Sequence, residues 1–178
     1  MRGVRRAIGA AEAEAAAFAA ARRLGSALEL GRAGRVGLYA GVRGELSTRP
    51  LFDAILAAGK PALFPVMDAG SQLLSFQRVR AWEELRGGDR SVPEPVRGVA
   101  ELLGPGDLIV VPGLAFDRHG RRLGSGGGWF DRTFQPGVDG GPVLVGYCFE
   151  AQMVGEVPHG TGDRAMALVV TEAATHRW

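Results

Sequence analysis

The chain alternates between two spacings of apolar positions. Residues 4–24 are rich in alanine, with Glu12 and Glu14 early and Arg22 and Arg23 late, so their charges match a helix dipole. This stretch predicts one helix, ended at Gly25 or Gly31. Residues 35–40 predict a buried strand and residues 41–44 a loop. Ser47 or Thr48 can cap the next helix, Pro50 suits its first turn, and Gly59 stops it after about residue 58. Apolar runs at 61–66 and 73–79 predict two more strands, and Val92-Pro93-Glu94-Pro95 a rigid extended segment. Residues 102–106 read as a turn. Residues 107–112 form the clearest strand, apolar, β-branched and ended by Pro-Gly. A long loop over 113–128 follows, then a helix opening at 128–134 and strands at 143–149 and 166–171.

Strands that are apolar throughout and alternate with helices predict a mostly parallel sheet covered on both faces. No repeat or linker divides the 178 residues, so one domain spanning 1–178 is expected. Ligands of such sheets bind at the carboxyl ends of the strands. The loops after Ala40, Pro112 and Phe149 are therefore the first places to look.

Charge changes this picture little. The chain has 21 basic and 19 acidic residues, a net charge of +2, too near neutral for a non-specific nucleic-acid binder. Lys60 is the sole lysine, so an arginine can stand here where a related chain has lysine. The single cysteine, Cys148, lies in an apolar run and reads as a buried inert thiol. No apolar run approaches the roughly 18 residues of a membrane span, and the arginines of the first turn precede an amphipathic helix rather than a signal core. A cytoplasmic protein is expected, a monomer or weak dimer, with no nucleic-acid or membrane partner.

The chemistry gathers in Pro112-Gly-Leu-Ala-Phe-Asp-Arg-His-Gly-Arg-Arg-Leu-Gly-Ser-Gly-Gly-Gly-Trp-Phe-Asp131. Gly124, Gly126, Gly127 and Gly128 let the backbone approach a ligand and turn its N–H groups inward. Set before a helix, such groups hold anions. Arg121 and Arg122 add charge suited to phosphate oxygens. Asp131 can hold Mg²⁺ through oxygen, with water and phosphate completing the shell. The glycines alone are compatible with a plain turn. The loop has no Gly-Lys-Ser/Thr, and it lies too late in the chain for a dinucleotide fingerprint.

The whole string resembles the signature of the 5-formyltetrahydrofolate cyclo-ligase (5,10-methenyltetrahydrofolate synthetase) family, Pro-Gly-x-Ala/Gly-Phe-Asp-x-x-Gly-x-Arg-Leu-Gly-x-Gly-x-Gly-Tyr-Tyr-Asp. Pro112, Gly113, Phe116, Asp117, Gly120, Arg122, Leu123, Gly124, Gly126, Gly128 and Asp131 match it. Arg2 to Arg6 resembles the family's basic start, Glu45-Leu-Ser-Thr48 its Glu-x-x-Thr segment, and residues 158–163 with 169–172 its closing segment. Trp129-Phe130 replaces Tyr-Tyr, Ser125 is small where some relatives are basic, and Ala167 stands where an acid is frequent.

The resemblance implies a three-layer αβα fold of the NagB/RpiA/CoA-transferase-like kind. It implies ATP- and Mg²⁺-dependent conversion of 5-formyltetrahydrofolate to 5,10-methenyltetrahydrofolate, releasing ADP and phosphate. The formyl oxygen takes the γ-phosphoryl group and N10 closes the ring as phosphate leaves. Carried over, Arg2 and Arg6 hold ATP phosphates, and Arg122, Leu123, Gly124, Ser125, Gly126, Gly127, Gly128, Trp129 and Phe130 wrap the nucleotide. Arg122 and Glu45 serve catalysis, Ala40, Glu45 and Trp129 face the reduced folate, and Asp131 and Asp163 serve Mg²⁺. The alternative is a non-catalytic or specificity-altered relative that binds nucleotide or folate.

Overall fold

In the computed structural model of the chain, which describes residues 2–68, 70–87, 92–96, 98–135 and 140–178, the N-terminal periodic stretch forms two helices, α1 (Arg2–Ala7) and α2 (Ala10–Gly25). The sequence predicts one. The break falls at Gly9, whose extended backbone starts α2 by accepting from Ala13 N at 2.9 Å. Helix propensity does not register this break, because α1 turns away to pack beside the short 3₁₀ turn Glu150–Gln152. α2 buries Ala16, Ala17, Ala20, Ala21 and Leu24, a stripe at helical spacing whose small side chains let α4 (Arg49–Ala57) lie close. A short α3 (Leu28–Arg32) follows α2. Of the two candidate caps of α4, Ser47 accepts from Arg49 N at 3.2 Å, while the Thr48 hydroxyl donates to the Tyr39 carbonyl. Gly59 ends the helix region at φ +71°, as the sequence predicts.

The strands are β1 (Val36–Gly37), β2 (Ala62–Asp68), β3 (Leu73–Val79), β4 (Leu85–Gly87), β5 (Pro93–Pro95), β6 (Ala100–Glu101) and β7 (Leu108–Val111). After them come β8 (Ala115–Asp117), β9 (Arg122–Leu123), α5 (Trp129–Thr133), β10 (Val143–Tyr147), β11 (Met153–Val154), β12 (Leu168–Val170) and β13 (Thr175–His176). Eight strands form one sheet in the order β13-β12-β10-β7-β1-β2-β3-β6. Its five central strands, β12 to β2, are parallel, with Val36 beside both Ala62 and Leu108. β13 and β3 run antiparallel to the core strands they flank, and the edge strand β6 pairs antiparallel with β3.

This is an α/β fold with helices on both faces, but the faces are covered unequally. On one, α2, α3 and α4 pack Leu24, Leu30, Leu51, Phe52 and Ile55 against Val36, Val110, Val145, Tyr147 and Val170. On the other, Leu63, Phe76, Ile109, Val111, Leu144 and Val169 meet Phe116 and Phe134, carried by β8 and by the residue after the five-residue α5. A three-stranded sheet, β11-β8-β9, completes that side. Residues 113–128, predicted as one loop, contain the β8–β9 hairpin of this sheet. A helical layer would close the space over the strand ends; the thin layer leaves it open.

Candidate active site

A cleft of about 410 Å³ opens at the carboxyl ends of β1, β2 and β7. The loops after Ala40 and Pro112 line it, as the topology predicts. The loop after Phe149 does not, whereas β2 and β5 do, through Pro65, Met67 and Glu94. Five arginines (Arg2, Arg5, Arg6, Arg43, Arg122) and three carboxylates (Glu45, Glu94, Asp131) line the cleft. Beside them lie Tyr39, Ala40, Met67, Leu114, Trp129 and Phe130. The cleft therefore pairs an apolar surface fitted to a flat ring system with an excess of cations fitted to a polyanion.

Its floor is built by the hairpin. Asp117, fully buried, accepts from the backbone N–H groups of His119 (2.8 Å), Arg121 (3.1 Å) and Val157 (3.0 Å). Burial, the largest influence, raises its carboxyl; the three amides and Arg121 outweigh it and hold the group below its ordinary range. The turn so fixed delivers Arg122 on β9. The Arg122 side chain is only 7% exposed, and Nη2 donates to Asp131 Oδ1 at 2.5 Å. Nη1 donates to the Pro112 carbonyl at 3.4 Å, and the guanidinium lies 5.8 Å from the centre of the Phe130 ring. Its Nε is buried with no partner, a donor left over for a ligand.

Gly124, Ser125, Gly127, Gly128, Trp129 and Phe130 also line the cleft, whereas Leu123 and Gly126 do not. Leu123 instead accepts from Leu114 N at 2.7 Å in the base of the hairpin. Gly128 starts α5 in the left-handed region at φ +64°, and a Cβ there would stand 2.6 Å from Arg132 Nη1. Arg132 braces the loop by donating to the Gly127 carbonyl at 2.9 Å and lies 5.4 Å from the Trp129 ring centre. With five residues, α5 has little dipole to offer. The capacity for anions rests on the arginines and the loop amides.

The opposite wall holds a residue that sequence reasoning missed. Arg2 and Arg6 are exposed at the rim, and Arg5 between them is 6% exposed. Arg5 Nη1 lies 3.6 Å from Glu45 Oε1, while Arg5 Nε is buried and unpartnered. Glu45 also accepts from Val42 N at 3.1 Å. Burial pushes its carboxyl up, against the opposing pull of the Val42 amide and Arg5. Ala40, which follows β1, is buried and also lines the cleft. Three arginines within one turn gave the only signal for Arg5; which of them faces inward is decided by how α1 docks.

Asp163 lies outside the cleft, in an adjoining recess that also touches Asp131, Gly128 and Arg132. It accepts from Gly160 N at 2.8 Å, and His159 Nδ1 is 3.9 Å away. No group of three or more His, Cys, Asp or Glu side chains able to hold a metal occurs among the described residues. Two carboxylates suit a hard cation that keeps water and phosphate oxygens, and do not suit a closed protein cage. Cys148 is buried and burial pushes its thiol up, which leaves it inert. Among the described residues no helix is long and apolar enough to cross a membrane.

The fold and cleft thus define an α/β enzyme domain with a cationic, aromatic-walled site at its strand ends. The model of the 5-formyltetrahydrofolate cyclo-ligase family matches residues 1–172, and the chain belongs to that family. It is 33% identical over 148 residues to the 5-formyltetrahydrofolate cyclo-ligase of Escherichia coli (strain K12), covering 80% of each chain. The Aquifex aeolicus 5,10-methenyltetrahydrofolate synthetase structure superposes with a TM-score of 0.73 at 29% identity, over 90% of this chain and 80% of that one. The Mycoplasma pneumoniae synthetase shares the fold at 16% identity and a TM-score of 0.73, over 96% and 93%.

Proposed function

We propose that the chain converts 5-formyltetrahydrofolate to 5,10-methenyltetrahydrofolate with ATP and Mg²⁺, releasing ADP and phosphate. The observation that carries this reading is Arg122: a buried guanidinium, paired to Asp131 and with an unused donor, on the floor of a cleft bordered by four further arginines. Arg2, Arg5 and Arg6 hold the outer phosphates. Arg122 neutralises the phosphoryl group as the formyl oxygen takes it, a step that needs positioning and charge more than covalent help. Glu45 and Ala40 face the pterin, and Trp129, Phe130 and Met67 cover its apolar surface. Ring closure by N10 then expels phosphate.

The Arg122–Asp131 pair gives the site an exchange. Phosphate oxygens would compete for Arg122, and Asp131, so freed, is the residue that with Asp163 would hold Mg²⁺. When bound, the metal neutralises phosphate charge. Replacing two tyrosines by Trp129 and Phe130 removes two hydroxyls and keeps the aromatic wall.

The test is turnover. Purified protein with 5-formyltetrahydrofolate, ATP and Mg²⁺ is expected to form the absorbing methenyl product, one ADP per product, with none when ATP or metal is omitted. Binding of ATP or folate without product would replace this reading by that of a non-catalytic relative.

A further inference from the structure

The loop after Phe149 lines no part of the cleft, yet it reaches the cleft's backbone through one side chain. Gln152, 1% exposed, ends the 3₁₀ turn Glu150–Gln152. Its Nε2 donates to the Gly113 carbonyl at 2.8 Å and the Leu114 carbonyl at 3.0 Å, and its Oε1 accepts from Phe149 N at 3.2 Å. Every strong hydrogen-bonding position of the amide hydrogens is thus spent on backbone, across the gap between the ends of β7 and β10. Gly113 and Leu114 are cleft-lining residues.

The same segment holds Arg122 from behind. Pro112 O accepts from Arg122 Nη1, Leu114 N donates to Leu123 O, and Gly113 lies so close that a Cβ on it would stand 3.1 Å from Arg122 Cγ. A shift of residues 112–114 therefore moves the wall against which Arg122 rests. α1, which carries Arg5, packs beside the Gln152 turn as well. The amide thus holds the segment behind Arg122, and the turn that carries it lies beside the helix of Arg5.

We infer that Gln152 is a positioning residue of this site: it sets the Pro112–Leu114 backbone, and through it the Arg122 guanidinium, for the polyanionic substrate. It touches no substrate itself. The inference rests on the reading of the cleft given above. A filler of the core would need only volume at this place. A positioning residue needs two donors, because the carbonyls of Gly113 and Leu114 have to be held at one spacing.

Two variants separate these roles. Gln152→Leu keeps volume and removes the amide. Gln152→Glu keeps the shape and replaces the nitrogen that carries both donors by an oxygen that faces the two carbonyls. Steady-state constants for ATP and 5-formyltetrahydrofolate are measured with Mg²⁺ well below the melting temperature of each variant, beside an ATP titration without folate. Both variants are expected to melt cooperatively and to lose about tenfold or more in kcat/KM for ATP, the scale on which small misplacements act. Weaker ATP binding should accompany the loss. If the Leu variant does not fold, the Glu variant decides alone. Kinetic constants within about twofold of the parent in a folded variant would overturn the inference and leave the reading of the cleft intact. A parent protein that neither binds ATP nor turns over would remove both.

Discussion

Two aspartates of one short segment are held in opposite ways. Asp117 is fully buried and accepts three backbone N–H groups, from its own turn and from Val157. Asp131 is about one-third exposed, faces the cleft and is held by the guanidinium of Arg122. The first has no capacity left for a ligand. The second has an oxygen to spare and a partner that phosphate can take away. A sequence pattern that contains both presents them alike; burial and partners separate the carboxylate that builds the loop from the one that works in it.

The comparison breaks most easily at Asp117. Asp117→Ala leaves the buried Val157 N–H and the partly buried N–H groups of His119 and Arg121 without their acceptor, at about 1–3 kcal/mol for the buried one and less for the other two, so a loss of about 2–4 kcal/mol in chemical denaturation is expected. Asp117→Asn should fall between this variant and the parent. The sign with pH follows from the lowered carboxyl. Its stabilisation is complete above the ordinary value of 3.8 and is lost as pH falls through the lower folded value. The gap in stability between parent and Asp117→Asn should therefore shrink only in that acid range. A gap that closes near neutral pH would show that Asp117 is not the buried anchor described.

A smaller effect is expected at Gly128, between the two aspartates in role. Alanine there takes an αL backbone at about 1 kcal/mol, and its methyl would displace Arg132 from the Gly127 carbonyl. Gly128→Ala should lower stability by about that amount and raise KM for ATP severalfold. An unchanged KM would remove the loop's shape from nucleotide binding.

Much of this was legible beforehand, in specific places. The strand Leu73–Val79 and the stop at Gly59 follow from local pattern, and the structure has both where the sequence puts them. The hairpin β8–β9 was not legible. Its strands are three and two residues long, and Asp117 rather than any periodicity holds its turn. The break at Gly9 escaped for a related reason: alanine-rich sequence favours helix on both sides, and only docking of α1 bends it. The same docking chose Arg5 over Arg2 and Arg6 for the interior. Leu123 and Gly126 belong to the signature string yet do not line the cleft. Spacing located the segment that carries the chemistry; side-chain direction needed the fold.

The most direct measurement is product formation by Asp131→Asn beside the parent, with melting curves of both. The account predicts a melting temperature within a few degrees of the parent, since Asp131 is about one-third exposed and makes one strong contact. It predicts turnover lower by about a hundredfold or more, the scale of a lost charge at a phosphoryl-transfer site. Full turnover by a folded Asp131→Asn protein would contradict it.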